Sequence, residues 1–239
     1  MIAFKVLHQQ VPAHYMGVWQ RTLLQSRTGL GTTFTDTKSL VLWMQTQHHH
    51  IDIRIPANLH QLRKVNQLTD YSVDDLHLLA QQQGFAGFTQ VDDDICQWHR
   101  EMDFQPERNH RDIGKMVFKT PDFLIETGCD ADYLEHWQRL PNSQIHYSFK
   151  VVKAINRHGL KATAYLMRAG QHMAYVRPRS VFSPQAESLI DAIVLYQPDF
   201  DTLCDWLDME ISFGRLLDEK HWEIKHSTLP FKEHLIVNL

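Results

Sequence analysis

The sequence predicts a mainly β protein with a few helices, built as two tandem antiparallel β-barrel lobes related by internal duplication. Three observations carry that prediction. Tyr15-Met16-Gly17-Val18-Trp19-Gln20-Arg21 recurs 118 positions later as Tyr133-Leu134-Glu135-His136-Trp137-Gln138-Arg139, almost half of the 239-residue chain, and so long a repeat period points to two similar lobes rather than a solenoid. Most other segments are short and mix apolar with polar residues at the period of half-buried strands. Short turns join them, which makes chain neighbours antiparallel partners, and a sheet of seven or eight such strands removes its open edges by closing.

Composition sets the class. A hydrophobic share of 43%, a charged share of 22% and a net charge of −4 are ordinary for a globular chain. They exclude the basic stripe with which a nucleic-acid binder neutralises phosphates. The longest apolar runs, 40–44 and 192–196, are far shorter than the roughly 20 residues of a membrane span. Three cysteines do not make a disulfide framework. The expectation is a cytoplasmic protein in a reducing compartment.

The first lobe is read over residues 1–130 with a helical insertion, the second over 131–239. Residues 15–25 read as the opening strand, 26–35 as a Gly- and Thr-rich loop, and 36–46 as the next strand. In 49–56 three isoleucines (Ile51, Ile53, Ile55) alternate with Asp52 and Arg54 until Pro56 ends the ladder. Leu59, Leu62 and Val65 then mark a helical face. Ser72 caps a second helix, with Asp74 and Asp75 in its first turn and Gly84 at its end. Strands return at 85–91 and 95–105 around the acidic turn at 92–94, followed by a hairpin about Pro121. The second lobe repeats the order: strands at 144–155, 160–169 and 172–178, one helix from Ser183-Pro184 to about Tyr196, then strands at 203–213 and 220–227.

Three further segments align between the halves. Met44, His49, Ile53 and Arg54 lie over Met167, His172, Val176 and Arg177; Cys96-Gln97-Trp98 over Cys204-Asp205-Trp206; Phe123-Leu124-Ile125 over Trp222-Glu223-Ile224.

A first strand carrying Gly17-Val18-Trp19 ahead of an antiparallel barrel resembles the lipocalin and wider calycin group. With Gln20-Arg21, Asp36-Thr37, Trp43-Met44-Gln45 and Asp52 to Pro56, the chain resembles the Hri-type family of two-lobed lipocalin-like proteins over nearly its whole length. The resemblance implies two lipocalin-like barrels in a cytoplasmic protein, a Trp plugging a closed barrel end, an Arg from a late strand across it, and no established enzymatic activity. Glu135 stands where the first copy has Gly17, so only the first lobe carries Gly-x-Trp.

Candidate residues follow from strand alternation. Gly17, Trp19, Arg21, Trp137 and Arg139 are the plug candidates, each Arg lying two residues beyond its Trp on one strand face as a cation–π lid. If the isoleucines of 51–55 pack outward, Asp52 and Arg54 point into the barrel, where charges need partners. Arg54 then offers a fork for a carboxylate, joined by Arg100, Trp98 and Trp43, with Arg177 as its second-lobe counterpart. If the isoleucines line the barrel instead, both charges are solvated. His48-His49-His50 lacks a further ligand at a metal spacing and reads as a turn or strand edge; no metal site is assigned. Cys96 and Cys204 read as core thiols, and Thr28 to Thr32 as a hairpin loop without a phosphate-binding signature. The functional expectation is a protein that binds a small apolar or amphipathic ligand, or serves as an interaction module with a protein partner. The alternative is an enzyme using Asp52, Arg54 and Arg100 on a small acid; haem or metal binding is a third, with no cofactor assigned.

Overall fold

The computed structural model describes residues 9–27, 31–107, 110–181 and 184–239, and no side chains at residues 60 and 61. The first lobe comprises β1 (Gly17–Arg27), β2 (Thr33–Asp36), β3 (Leu40–Gln45), β4 (His49–Ile55), helix α1 (Val73–Leu79), β5 (Gln83–Asp92), β6 (Ile95–Asp103), β7 (Asp112–Thr120), β8 (Phe123–Gly128) and β9 (Tyr133–Arg139). The second comprises β10 (Ser148–Ile155), β11 (Lys161–Ala169), β12 (His172–Arg177), helices α2 (Leu189–Tyr196) and α3 (Phe200–Leu207), β13 (Glu210–Leu216), β14 (His221–Ser227) and β15 (Ile236–Asn238).

Strands β1 and β3 to β9 form an eight-stranded antiparallel barrel, closed where β9 returns to β1, and β2 prolongs the wall beside the far end of β1. Strands β10 to β15 form a six-stranded antiparallel sheet curled into a half-barrel. The expected two-lobed, mainly β architecture with a few helices is the one observed. Among the described residues no helix is long and apolar enough to cross a membrane.

One strand lies elsewhere than expected. The segment Tyr133–Arg139, read as the start of the second lobe, is the closing strand of the first, so the barrel extends past residue 130. Its register explains the repeated motif. Trp19 pairs with Arg139 and Arg21 with Trp137, so two antiparallel copies of Trp-Gln-Arg face each other across the seam.

Alternation in β4 organises both lobes. Ile51, Ile53 and Ile55 face out of the barrel into a core shared with Leu76 and Leu79 of α1, Leu203 and Leu207 of α3, and Val176 and Ile211 of the second sheet. Asp52 and Arg54 therefore face the barrel interior. Burial of such residues stabilises lobe association at about 25 cal/mol per Å² of apolar surface removed from water.

The helices differ from expectation. Helix α1 starts where Ser72 and Asp75 exchange capping hydrogen bonds, but it ends before Gly84, which belongs to β5. Residues 57–61 make only a short 3-10 turn. The second lobe has two α-helices where one was expected. The first begins after Ser188, which accepts from the Asp191 N–H; Ser183 lies outside the described residues, as do 28–30 of the expected loop. The second places Cys204 and Trp206 on α3 while Cys96 and Trp98 lie on β6. Phe200, Leu203, Cys204 and Leu207 carry helical spacing behind an Asp199 cap, and that period outranks the strand reading.

One end of the barrel is filled. Tyr15, Trp19, Trp43, Trp98, Met116, Leu124 and Trp137 form one buried cluster. Trp19 donates its Nε1–H to the Tyr15 carbonyl at 2.8 Å, and the Arg139 guanidinium lies 4.3 Å from its ring centre. Arg139 also donates to the carbonyls of His14, Met16 and Pro121. Gly17 permits this approach: its φ is +132°, and a Cβ there would lie 3.2 Å from Arg139 Cδ. The lid thus comes from across the seam; Arg21 does not cover a ring and turns to carboxylates.

Candidate functional site

Beyond the tryptophan cluster the barrel is hollow. The cavity measures about 760 Å³, and Trp43, Trp98 and Trp137 form its floor. The rings meet edge to face: Trp43 and Trp98 at 5.6 Å and 79°, Trp43 and Trp137 at 5.9 Å and 72°.

The walls above the floor are charged, because β4, β6, β7, β8 and β9 each aim an ionisable residue inward. Arg54 Nε donates to Asp52 Oδ1 at 2.8 Å. Arg100 bridges Asp103 at 2.7 Å and Asp112 at 2.6 Å, and its guanidinium stands 3.7 Å from the Phe85 ring centre. Arg21 joins Asp36 and Glu135, both at 2.8 Å. Burial raises the Asp52 carboxyl above its usual range despite the opposing pull of Arg54.

Glu126 and Glu135 are cross-strand partners on β8 and β9, both 4% exposed. Glu126 Oε1 accepts from the Tyr133 hydroxyl at 2.7 Å and Oε2 from Trp137 Nε1 at 3.0 Å. Burial first, and the neighbouring Glu135 second, push its carboxyl up to about 8. Two carboxylates brought this close do not both ionise readily. Gly114 makes the room, since a Cβ there would come within 2.9 Å of Glu126 Cγ. Buried groups with shifted titration in a cleft mark a functional-site candidate.

Five of the six ligand-site residues read from sequence, Trp43, Asp52, Arg54, Trp98 and Arg100, line this one cavity. Arg177 does not. It lies in the second lobe, paired with Asp208 at 2.7 Å with both side chains almost fully buried. The residues that sequence reading missed are Asp103, Asp112, Glu126, Tyr133 and Glu135. The signal was present in β9, where Tyr133, Glu135, Trp137 and Arg139 alternate onto one face, but the strand was allotted to the other lobe.

The histidine run is dispersed. His50 is fully buried, with Nδ1 3.0 Å from Thr89 Oγ1, and His49 stacks on Phe149 of the second lobe at 3.6 Å. Among the described residues no group of three or more His, Cys, Asp or Glu side chains is placed to hold a metal. Cys96 and Cys204 are buried free thiols, and burial raises both above the ordinary thiol range.

Compared with family models, curated proteins and solved structures, the chain matches none of them.

Proposed function

We propose that the first barrel binds a small amphipathic molecule. One observation carries this: the barrel holds a cavity of about 760 Å³ with an aromatic floor and charged walls. That volume lies within the range of roughly 300–1,000 Å³ typical of small-molecule sites. An eight-stranded barrel either fills its interior with side chains or keeps space for one small ligand, and here the filling stops at the tryptophans. The lipocalin-like, Hri-type resemblance points the same way, and the ring of Trp19 under Arg139 supports it.

The enzymatic alternative draws on Asp52, Arg54 and Arg100, which do face the cavity. It is the weaker reading, because both arginines are already held by carboxylates and offer a small acid no free fork.

Ligand-observed NMR of a fragment library against the intact protein tests the binding reading. Fragments should show saturable contact that is lost in Leu24→Trp, which fills the cavity wall. A library without hits, or hits indifferent to Leu24→Trp, overturns it.

We also infer that the lobes descend from one unit. Met44 faces Ile51 in the β3–β4 hairpin as Met167 faces Ala174 in β11–β12, at the same offset of 123 positions, and helices follow each hairpin. A profile of homologues aligning the hairpins at another offset would count against it.

A further inference from the structure

The charges of the cavity are not balanced, and the imbalance has a location. Eight acidic side chains and three arginines line it. Each arginine there already has a carboxylate partner: Arg54 has Asp52, Arg100 has Asp103 and Asp112, Arg111 has Asp130. An arriving anion would have to displace one of these carboxylates, and would meet the rest as like charges.

The buried acid left without a cation is Glu126, and its cross-strand partner is Glu135. Glu135 Oε1 accepts from Arg21 at 2.8 Å and lies 3.9 Å from Arg54 Nη1. Its side chain is only 5% exposed and lines the cavity. Glu126 holds one neutral donor on each oxygen, Tyr133 and Trp137, and no cation within ion-pair distance. Trp137, whose Nε1–H donates to Glu126, lines the same cavity with Trp43 and Trp98, and aromatic faces attract cations. A carboxylate pair in one cavity with three tryptophans suits an ammonium carried on an apolar body.

We infer that the ligand of the first barrel is a small organic cation, a protonated amine whose ammonium sits between Glu126 and Glu135 and whose apolar body rests on Trp43, Trp98 and Trp137. The inference rests on the reading that this barrel binds a ligand at all.

It carries a consequence for protons. Unliganded Glu126 holds its proton near neutral pH, because burial, Glu135 and Asp112 outweigh Arg54 and the Tyr133 hydroxyl. The other groups around it are Cys96 on β6, whose thiol stays protonated, and Asp52 and Arg100, which are tied into their own pairs. An ammonium between the two glutamates stabilises both as carboxylates, so Glu126 releases its proton to solvent as the amine binds.

Isothermal titration of the intact protein with three matched probes tests this: 2-phenylethylamine, 2-phenylethanol and phenylacetate. The amine should bind one to one, at least about tenfold more tightly than the alcohol, with no binding of phenylacetate. Titration at pH 7 in two buffers of different ionisation enthalpy should report proton release for the wild type and none for Glu126→Gln. Glu135→Gln should weaken the amine about tenfold or more and leave the alcohol unchanged. Should Glu135→Gln fail to fold, Leu24→Lys sets a cation directly opposite Glu135 across the β1–β9 seam and should have the same selective effect. An amine that binds no better than the alcohol, or tighter binding of phenylacetate, overturns the inference. If all three probes fail while the fragment screen yields other ligands, the cation assignment falls and the binding reading stands; if the screen is also empty, both fall.

Discussion

Glu126 is a carboxyl group that the fold keeps uncharged. Its ordinary value is 4.5, and the folded protein raises it to about 8. Between those two values the folded chain holds a proton that the unfolded chain has lost, so stability contributed here is present below about pH 4.5 and declines as pH rises toward 8. Gln reproduces the neutral acid, accepting from Trp137 and donating to the Tyr133 oxygen. Glu126→Gln should therefore be more stable than wild type at pH 8–9, on the order of 1–3 kcal/mol, with a flatter pH profile in urea denaturation; an unchanged or lower midpoint at pH 9 refutes the assignment. His50 acts at the other limb. Burial, then Arg100, hold its imidazole well below 6.5, so only the unfolded state takes up the proton as pH falls. Stability should drop below about pH 6.5, and His50→Gln should remove that part of the acid slope.

At the scale of elements, strand alternation does most of the positioning. In β4 it sends Asp52 and Arg54 inward and the isoleucines outward; in β9 it stacks Tyr133, Glu135, Trp137 and Arg139 on the barrel side. In the second sheet, β12 sends Arg177 to Asp208, just beyond α3, and Asp208 also accepts from the Arg157 backbone N–H. Removing one member strands the other charge in a buried setting. Asp208→Ala should destabilise the protein by about 3–5 kcal/mol, whereas Arg177→Met with Asp208→Leu should recover much of that loss. Thermal melts of the single and double variants decide it; equal losses in both would mean that the pair is not what holds this corner. The inward face of β4 was readable as a choice between two orientations, and its period limited the answer to those two. Choosing between them needed the second sheet, because the isoleucines face out only where another lobe covers them.

For the molecule as a whole, the core is shared. Val18, Leu42, Met44, Ile51 and Ile53 of the barrel meet Met167, Val176, Ile211 and Phe213 of the half-barrel in one cluster. Neither lobe buries these residues alone, so the two should unfold together. Ile53→Ala should cost about 2–5 kcal/mol and shift tryptophan fluorescence and far-ultraviolet dichroism by the same amount in urea. Two separated transitions, one for each lobe, would contradict a common core. The same sharing explains the place of His49, which stacks on Phe149 across the lobes.

Residue order alone specified a mainly β chain of two lobes, the strand periods, the Ser72 cap, and five of the residues that converge on the cavity (Trp43, Asp52, Arg54, Trp98 and Arg100), since these depend on local spacing and on turns. It did not specify where β9 pairs, that residues 200–207 form a helix, or that Glu126 and Glu135 stand side by side. Those are long-range facts. The identity of a strand's neighbour is set by barrel closure and by the surface that another lobe covers, and the carboxyl of Glu126 is raised by Glu135 only once the register has brought the two strands together.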